Sequence, residues 1–487
     1  MPNPLFEPLR FIPARVAIVA TMFLGLGSPP LSADDPKRPN FVFIFADDLG
    51  YGDVQVHRGK FLRDLPPQSV GRSGGPKAYR GKILTPHIDR LAAEGTDFTQ
   101  FTVCSPVCSP SRVAAMTGHF PSRHGVHQHF ASHAQNVARG MPDFLDPAVP
   151  MLSRILRDNG YATGHYGKWH LSGGSVAKAP TPDAYGFDDA AVYTGPGRHV
   201  FDGTDYAKLA KTAQKSDSAS YLSIAATDHA LDFIRDHRSG PFYCNLWLHE
   251  THHVVSARPE DREPYADLRE PYQTYYGAVT RADAQVGRVL DVLDELGLTD
   301  NTMVIFSSDN GPEVYSDRLE YSVGSTAGRV GRKRSLMMGG VNVPFIVRYP
   351  PLVPSGRVNQ TTALAAVDLL PTLCSVAGAA LPADYEADGE DISAVLAGTS
   401  EDRQKPLFWY WQGHHGGDDW PAWAVRDGRW GLVADDGFDR VDLYDLVDDP
   451  YQTKNLADSE PAHTERLRSM INVWRTTLPE LPDLAAK

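Results

Sequence analysis

The chain has 487 residues, 42% hydrophobic and 22% charged, with a formal net charge of −13. This is the composition of an ordinary globular protein, long enough for a main domain and a smaller one, and an acidic balance argues against nucleic acid or anionic membrane as a partner. The four cysteines, Cys104, Cys108, Cys244 and Cys374, are too few for a disulfide scaffold.

At the N-terminus, Arg10 and Arg15 precede an apolar run over residues 16–26, followed by Pro29-Pro30-Leu31-Ser32-Ala33. A basic start, a short apolar centre and a small residue at the cut describe a secretory signal peptide over residues 1–33. The run is short for a bilayer span, and no later stretch is long and apolar enough to be one. The expectation is an exported, periplasmic or extracellular chain, and so few cysteines suit a bacterial envelope. Composition shifts after Gly398, dividing the remainder into an α/β domain (34–398) and an α+β subdomain (399–487).

Residues 41–46 are a continuous apolar run, as in a strand buried on both faces, and Asp47-Asp48-Leu49-Gly50 follows directly. Thr85-Pro86 has N-cap and N1 chemistry for a helix with Ile88, Leu91 and Ala92 inward, ended by Gly95. Next come Cys104-Ser105-Pro106-Val107 and Cys108-Ser109-Pro110-Ser111-Arg112, the latter followed by Thr117-Gly118. Cysteine, proline and arginine at these offsets, closed by Thr-Gly, form a substrate for an enzyme that oxidises cysteine to formylglycine. Cys104 starts the same way but has Cys108 where arginine is required, so Cys108 is the candidate. A buried apolar thiol is the ordinary alternative for either.

A short helix over 151–156 closes at Asn159-Gly160, and a strand over 161–166 leads into Gly167-Lys168-Trp169-His170. A helix over 220–238 feeds a strand over 242–248 that ends in His249-Glu250-Thr251-His252-His253. Residues 275–296 are helical, and the buried strand 303–306 ends in Ser308-Asp309-Asn310-Gly311. Alternating strands and helices imply an α/β fold with a large, mostly parallel sheet between helices, and ligands of such sheets bind beyond the carboxyl ends of the strands. After residue 398, the aromatic segment 407–411, short strands near 423–425 and 429–433, then Leu443-Tyr444-Asp445-Leu446 and a helix over 461–477, suggest a small antiparallel sheet plus helix. The loop 413–420, flanked by aromatics, suits either sugar contact or a surface turn.

Two pairs of oxygen-bearing side chains at strand ends, Asp47-Asp48 and Asp309-Asn310, favour a hard divalent cation, calcium or magnesium rather than zinc. Either pair alone is also ordinary turn chemistry. Asp53 reads as a solvated or structural carboxylate. Lys168 and Lys333, the latter in Gly331-Arg332-Lys333-Arg334, are compact charges for an oxyanion, and His170 and His252 can titrate near neutrality.

Together these motifs resemble those of the type I sulfatases of the alkaline phosphatase superfamily, from Arg38 to the C-terminal helix, with N-acetylgalactosamine-6-sulfatase-like and arylsulfatase-like features. The resemblance implies a maturation partner that converts Cys108 to formylglycine, whose hydrate attacks the sulfur of a sulfate ester, with Arg112 holding the nucleophile. It implies calcium, with magnesium second, on Asp47, Asp48, Asp309, Asn310 and an oxygen of converted Cys108. It implies sulfate contacts from Lys168 and Lys333, a hydrogen bond from His170 to the formylglycine diol, and His252 as the acid for the leaving alcohol. His249 and His253 are alternatives that would line a sugar pocket. Thr251 and Val254 stand where the family has proline, Met338 where it has glutamate and Asn342 where it has arginine, so Arg332 or Arg334 is an alternative to Lys333. The implied substrate is a sulfated glycan or amino sugar. A phosphonate or phosphate ester hydrolase, and a calcium-dependent glycan-binding protein with a degenerate site, are the competing readings.

Overall fold

The computed structural model describes residues 38–61, 83–173, 176, 178–201, 221–314, 321–413 and 420–480. The signal segment 1–33 and residues 414–419 of the aromatic-flanked loop lie outside them. The strands are β1 Asn40–Ala46, β2 Thr96–Phe98, β3 Phe101–Thr102, β4 Ala162–Lys168, β5 Asp189–Tyr193, β6 Phe242–Trp247 and β7 Thr302–Ser308. They continue with β8 Phe345–Arg348, β9 Arg357–Asn359, β10 Leu364–Ala365, β11 Leu407–Tyr410, β12 Trp423–Asp427, β13 Trp430–Ala434 and β14 Val441–Asp445. Eight of these form one sheet in the order β5-β4-β6-β1-β7-β8-β2-β9. The five strands from β5 to β7 run parallel, and only β8 is antiparallel to both its neighbours. The expected mostly parallel sheet is therefore present, as is a separate antiparallel sheet β11-β12-β13-β14.

Strand alternation explains why residues 41–46 are apolar without interruption. Phe41, Phe43 and Phe45 point to one face with Tyr243, Trp247 and Ile305, while Val42, Ile44 and Ala46 point to the other with Leu246 and Phe306. Each such fully buried side chain contributes roughly 1.5–3 kcal/mol, so neither face tolerates a polar residue until the strands end. The first face continues through the helix Cys108–Thr117 into the small sheet, with Leu407, Trp409, Val425 and Leu432 in the same cluster.

Several elements differ from the sequence expectation in informative ways. The fourth strand extends to Lys168, so Gly167-Lys168 are its last residues rather than a segment after it. Gly167 has φ +109°, and a Cβ there would meet the Trp247 carbonyl at 2.0 Å, so only glycine lets β4 approach β6 just before the lysine. Thr85 occupies the N-cap position of the helix Pro86–Glu94, but its hydroxyl donates to Asp89 rather than capping. The backbone N–H groups of His87 and Ile88 are capped instead by Asp283 from the helix Tyr272–Glu295, a tertiary partner that local sequence does not reveal. All four cysteines are buried free thiols. No helix of the described residues is long and apolar enough to cross a membrane.

Candidate active site

The parallel strands β1, β4, β6 and β7 all end at the same edge of the sheet. Asp47-Asp48 continues β1, Lys168 ends β4, the histidine segment follows β6, and Asp309-Asn310 continues β7. Backbone hydrogen bonds lock these ends together. Asp309 N donates to Ala46 O (3.1 Å), Asp47 N to Glu250 O (3.0 Å) and Leu248 N to Phe45 O (2.9 Å). Asp48 turns into the left-handed region (φ 60°), which a short side chain tolerates best, and its N–H donates to Asp309 Oδ1 (3.1 Å).

Over this edge lies the first turn of the helix Cys108–Thr117, buried along its whole length and ended by Gly118 in the left-handed conformation. Pro110 sits in the first turn, where its missing N–H costs nothing. Ser111 Oγ donates to Ser105 O (2.7 Å), and Ser109 Oγ accepts from Phe130 N (3.0 Å), fixing the segment around Cys108. Cys108 Sγ lies 3.6 Å from Asp47 Oδ1. Burial, with Asp309 and Asp47 nearby, pushes the thiol up to about 12 even though Lys168 and Lys333 pull the other way. An unmodified Cys108 is therefore protonated and a poor nucleophile.

Asp47, Asp48, Cys108 and Asp309 each present a potential ligand atom, all within 4.8 Å of one another and all buried. Asn310 joins them: its Nδ2 donates to Asp48 Oδ1 (2.7 Å), and its buried Oδ1 has no hydrogen-bond partner. Three carboxylates and an unpartnered amide oxygen fit a hard cation that takes oxygen ligands. Asp47 also lies within the same distance of His249 and His252, but on that carboxylate Lys168 Nζ already sits 2.5 Å from Oδ2.

The carboxylates are matched by cations. Arg112 is fully buried, donates from Nη2 and Nε to Asp309 Oδ2 (2.6 and 3.1 Å), and reaches the Lys168 carbonyl (3.4 Å). Its guanidinium lies 4.8 Å from the Trp247 ring centroid. Lys333 Nζ donates to both oxygens of Asp48 (2.6 and 2.7 Å). Of the three adjacent basic residues, Lys333 reaches the cluster, while Arg332 turns away to the Glu313 and Gly324 carbonyls. Burial works against the charge on Asp48, but Lys333, His252 and Lys168 outweigh it and hold the carboxyl well below its usual range. Asp309 is pushed up to about 6 by burial and by Asp47, against the pull of Arg112. Burial opposes the charge on Lys168 and Lys333 as well, yet the carboxylates raise both. Asp47, Asp48 and Asp309 are thus each matched by a cation, Lys168, Lys333 and Arg112 respectively.

Of the histidines, His252 lies with Asp47 and His249 and donates from Nδ1 to the His253 carbonyl (2.5 Å). Burial and Lys168 hold His252 well below its usual value, and the same causes act on His170. His170 Nε2 meets the Phe130 carbonyl (3.1 Å), and its buried Nδ1 has no protein partner. No hydrogen bond joins His170 to Cys108. The peptide bonds Glu250–Thr251 and His253–Val254, at the positions where the resemblance has proline, are both cis.

Three further residues gain their roles from the tertiary structure. Of the two readings of Asp53, the structural one holds: it is fully buried and accepts from Gly50 N, Ser325 N and Tyr275 Oη. Asn342, where arginine was expected, donates to the Thr99 and Phe101 carbonyls and serves the backbone. Glu313 was not anticipated. It stands three residues beyond Asn310, its Oε2 lies 3.6 Å from Lys333 Nζ, and it pairs with Arg334. An acidic residue so soon after a strand-end ligand pair was the available signal.

Comparison with known proteins agrees with this picture. The profile described as sulfatase matches residues 39–379, and that described as N-sulphoglucosamine sulphohydrolase, C-terminal, matches residues 330–475. Steryl-sulfatase of Mus musculus is 29% identical over an alignment covering 100% of this chain and 89% of that protein. N-acetylgalactosamine-6-sulfatase of Canis lupus familiaris is 30% identical, covering 79% of this chain and 70% of its own length. The crystal structure of Ps i-CgsB in complex with k-i-k-neocarrahexaose superposes with a TM-score of 0.73 at 24% identity, over 90% of this chain and 93% of that one. The likeness to that structure concerns the fold.

Proposed function

This chain belongs to the sulfatase family and is a sulfuric ester hydrolase, and from that premise we propose an exported enzyme that removes sulfate from a glycan or amino sugar by means of formylglycine and calcium. The observation that carries this reading is Cys108 at the head of a buried helix, against Asp47 and within the acidic cluster, with its thiol too basic to act unmodified. The matched N-acetylgalactosamine-6-sulfatase supports the choice of an amino sugar. The reading keeps a catalytic domain over residues 34–398 and a subdomain over 399–487.

Conversion of Cys108 to formylglycine, by a maturation enzyme, supplies as its hydrate two hydroxyls on one carbon, one to attack sulfur and one to release the sulfate afterwards. Calcium held by Asp47, Asp48, Asp309, Asn310 and an oxygen of converted Cys108 supplies Lewis acidity and positive charge. Arg112 fixes Asp309 and so the position of the nucleophile above it. Lys168 and Lys333 shift from Asp47 and Asp48 towards the sulfate oxygens and stabilise the charge that grows there. His252 delivers a proton to the leaving alcohol once the negative charge of a bound sulfate has offset the burial and the Lys168 charge that otherwise keep it neutral, and His170 takes one from the diol through the Nδ1 that has no protein partner.

Cys108→Ser decides the matter. It lacks a second hydroxyl, so multiple turnover of nitrophenyl sulfate is expected to vanish, and the Cys108 peptide of the wild-type protein should have the mass of the aldehyde or its hydrate. Normal multiple turnover by the serine variant would overturn the scheme. N-terminal sequencing of the protein recovered from the periplasm or medium tests export, which predicts a start at Asp34.

A further inference from the structure

Alternation along the small sheet places Arg426 of β12 on the same face as Ala424, opposite Leu407 of β11 and Gly431 of β13. That face packs on the body of the large sheet, where Trp409 Nε1 donates to the Val103 carbonyl (2.7 Å). A cavity of about 20 Å³ lies in the seam, lined by Arg426, Gly431 and Gln452 and by Leu336, Met338 and Val341. Its volume admits one occupant of water or halide size. Arg426 is 2% exposed, its Nε donates to the Gly428 carbonyl (3.0 Å), and neither Nη atom has a hydrogen-bond partner. Those two atoms carry four N–H groups.

The charges around Arg426 do not cancel. Arg403 is near enough to help pull it down to about 9, and Arg403 Nη1 is itself held by Asp368 Oδ2 (2.6 Å). Asp445, which opposes that pull, is engaged by Arg429 Nη2 (2.6 Å). Two guanidiniums and one carboxylate free to answer them leave a single positive charge in a buried seam.

We propose that the seam cavity is a site for one small monovalent anion, of the chloride class, held by the two Nη atoms of Arg426. Size and charge select the occupant together. The cavity is too small for a phosphate, a sulfate or a sugar acid, and a water would accept hydrogen bonds without offsetting the remaining charge. Gln452 forms part of the wall and ties it to the large sheet, its Oε1 accepting from Met338 N (2.7 Å). The ion fastens β12 to the segment 336–341, which follows Lys333 closely in the chain. The site is independent of the sulfatase reading above.

The test compares thermal unfolding of the full-length protein in sodium chloride and in sodium gluconate of equal ionic strength, gluconate being too large for the cavity. Chloride should raise the wild-type midpoint about 2 °C more than it raises that of Arg426→Met, which removes the binding atoms. In gluconate that variant should unfold at or slightly above the wild-type midpoint. Gln452→Glu sets a carboxylate on the cavity wall while keeping an acceptor for Met338 N, and it should lose the chloride-specific rise in the same way. Crystals grown in bromide should show an anomalous-scattering peak in contact with the Nη atoms of Arg426. Equal rises in wild type and either variant, or no bromide peak, would overturn the proposal. A bromide peak without the chloride-specific rise would mark an adventitious ion only and overturn it as well. Should Arg426→Met fail to fold, Gln452→Glu and the bromide crystals decide.

Discussion

Arg112, beneath the catalytic edge of the large sheet, and Arg426, in the small antiparallel sheet, are both buried almost completely, but their surroundings treat the charge in opposite ways. Burial alone would lower Arg112, yet Asp309 and Asp47 hold it above its ordinary value. Burial and the nearby Arg403 pull Arg426 down to about 9, with Asp445 opposing only weakly. Arg426 Nε donates to the Gly428 carbonyl (3.0 Å), and neither of its Nη atoms has a hydrogen-bond partner. Arginine keeps its proton at neutral pH, so the second site bears a desolvation cost that the first has cancelled. The large sheet concentrates charges in order to match them and so present a fixed field. The small sheet buries one as part of its packing.

The comparison breaks first at Asp309. Asp309→Ala strands a buried guanidinium and removes a ligand of the acidic cluster, so it should cost about 3–5 kcal/mol in denaturant unfolding and reduce sulfate ester hydrolysis to background. Replacing Lys333 by Met removes the cation paired with Asp48, the sulfate contact proposed above. A fall in kcat/KM for nitrophenyl sulfate of roughly a hundredfold or more is expected, and an unchanged kcat/KM would remove Lys333 from that role.

Asp283 is an intermediate case, a buried carboxylate answered only by backbone N–H groups. Burial raises it to about 7, more than the hydrogen bonds from Ile88 and His87 lower it. Its folded value lies above the unfolded one, so this contribution favours the fold at low pH and is lost as pH rises from about 4 to 7. The loss should be roughly 4 kcal/mol. Thermal unfolding across that range should show Asp283→Asn to be flatter than wild type, and parallel profiles would dismiss the idea. The smallest effect belongs to Arg426→Met, which exchanges an uncompensated charge for apolar volume and should leave stability within about 1 kcal/mol of wild type or raise it. A loss like that of Asp309→Ala would show that the two arginines are alike.

Much of this was legible in the residues. The apolar runs that end in Asp47-Asp48 and Asp309-Asn310 announced buried strands with oxygen-bearing side chains at their carboxyl ends, since a strand covered on both faces leaves polar residues only where it stops. The Cys108 motif was readable because its fixed residue types lie in one contiguous segment. What could not be read was any property that depends on a partner distant in the chain. Glu313 acquires its meaning from Arg334 and Lys333, Asp53 its burial from Tyr275, and Asp283 its role from a helix that begins near Thr85. The extension of β4 to Lys168 depends likewise on Gly167 fitting against Trp247.

By itself, then, the sequence determined the fold class, the family and the side chains that converge on Cys108, because strand periodicity and a linear recognition motif are local properties. Only the tertiary structure decided which of three adjacent basic residues reaches Asp48, which carboxylates are matched by cations, and that the Cys108 thiol is too basic to react unmodified. Those outcomes depend on burial and on charges brought together from separate strands, and neither is written in any one segment.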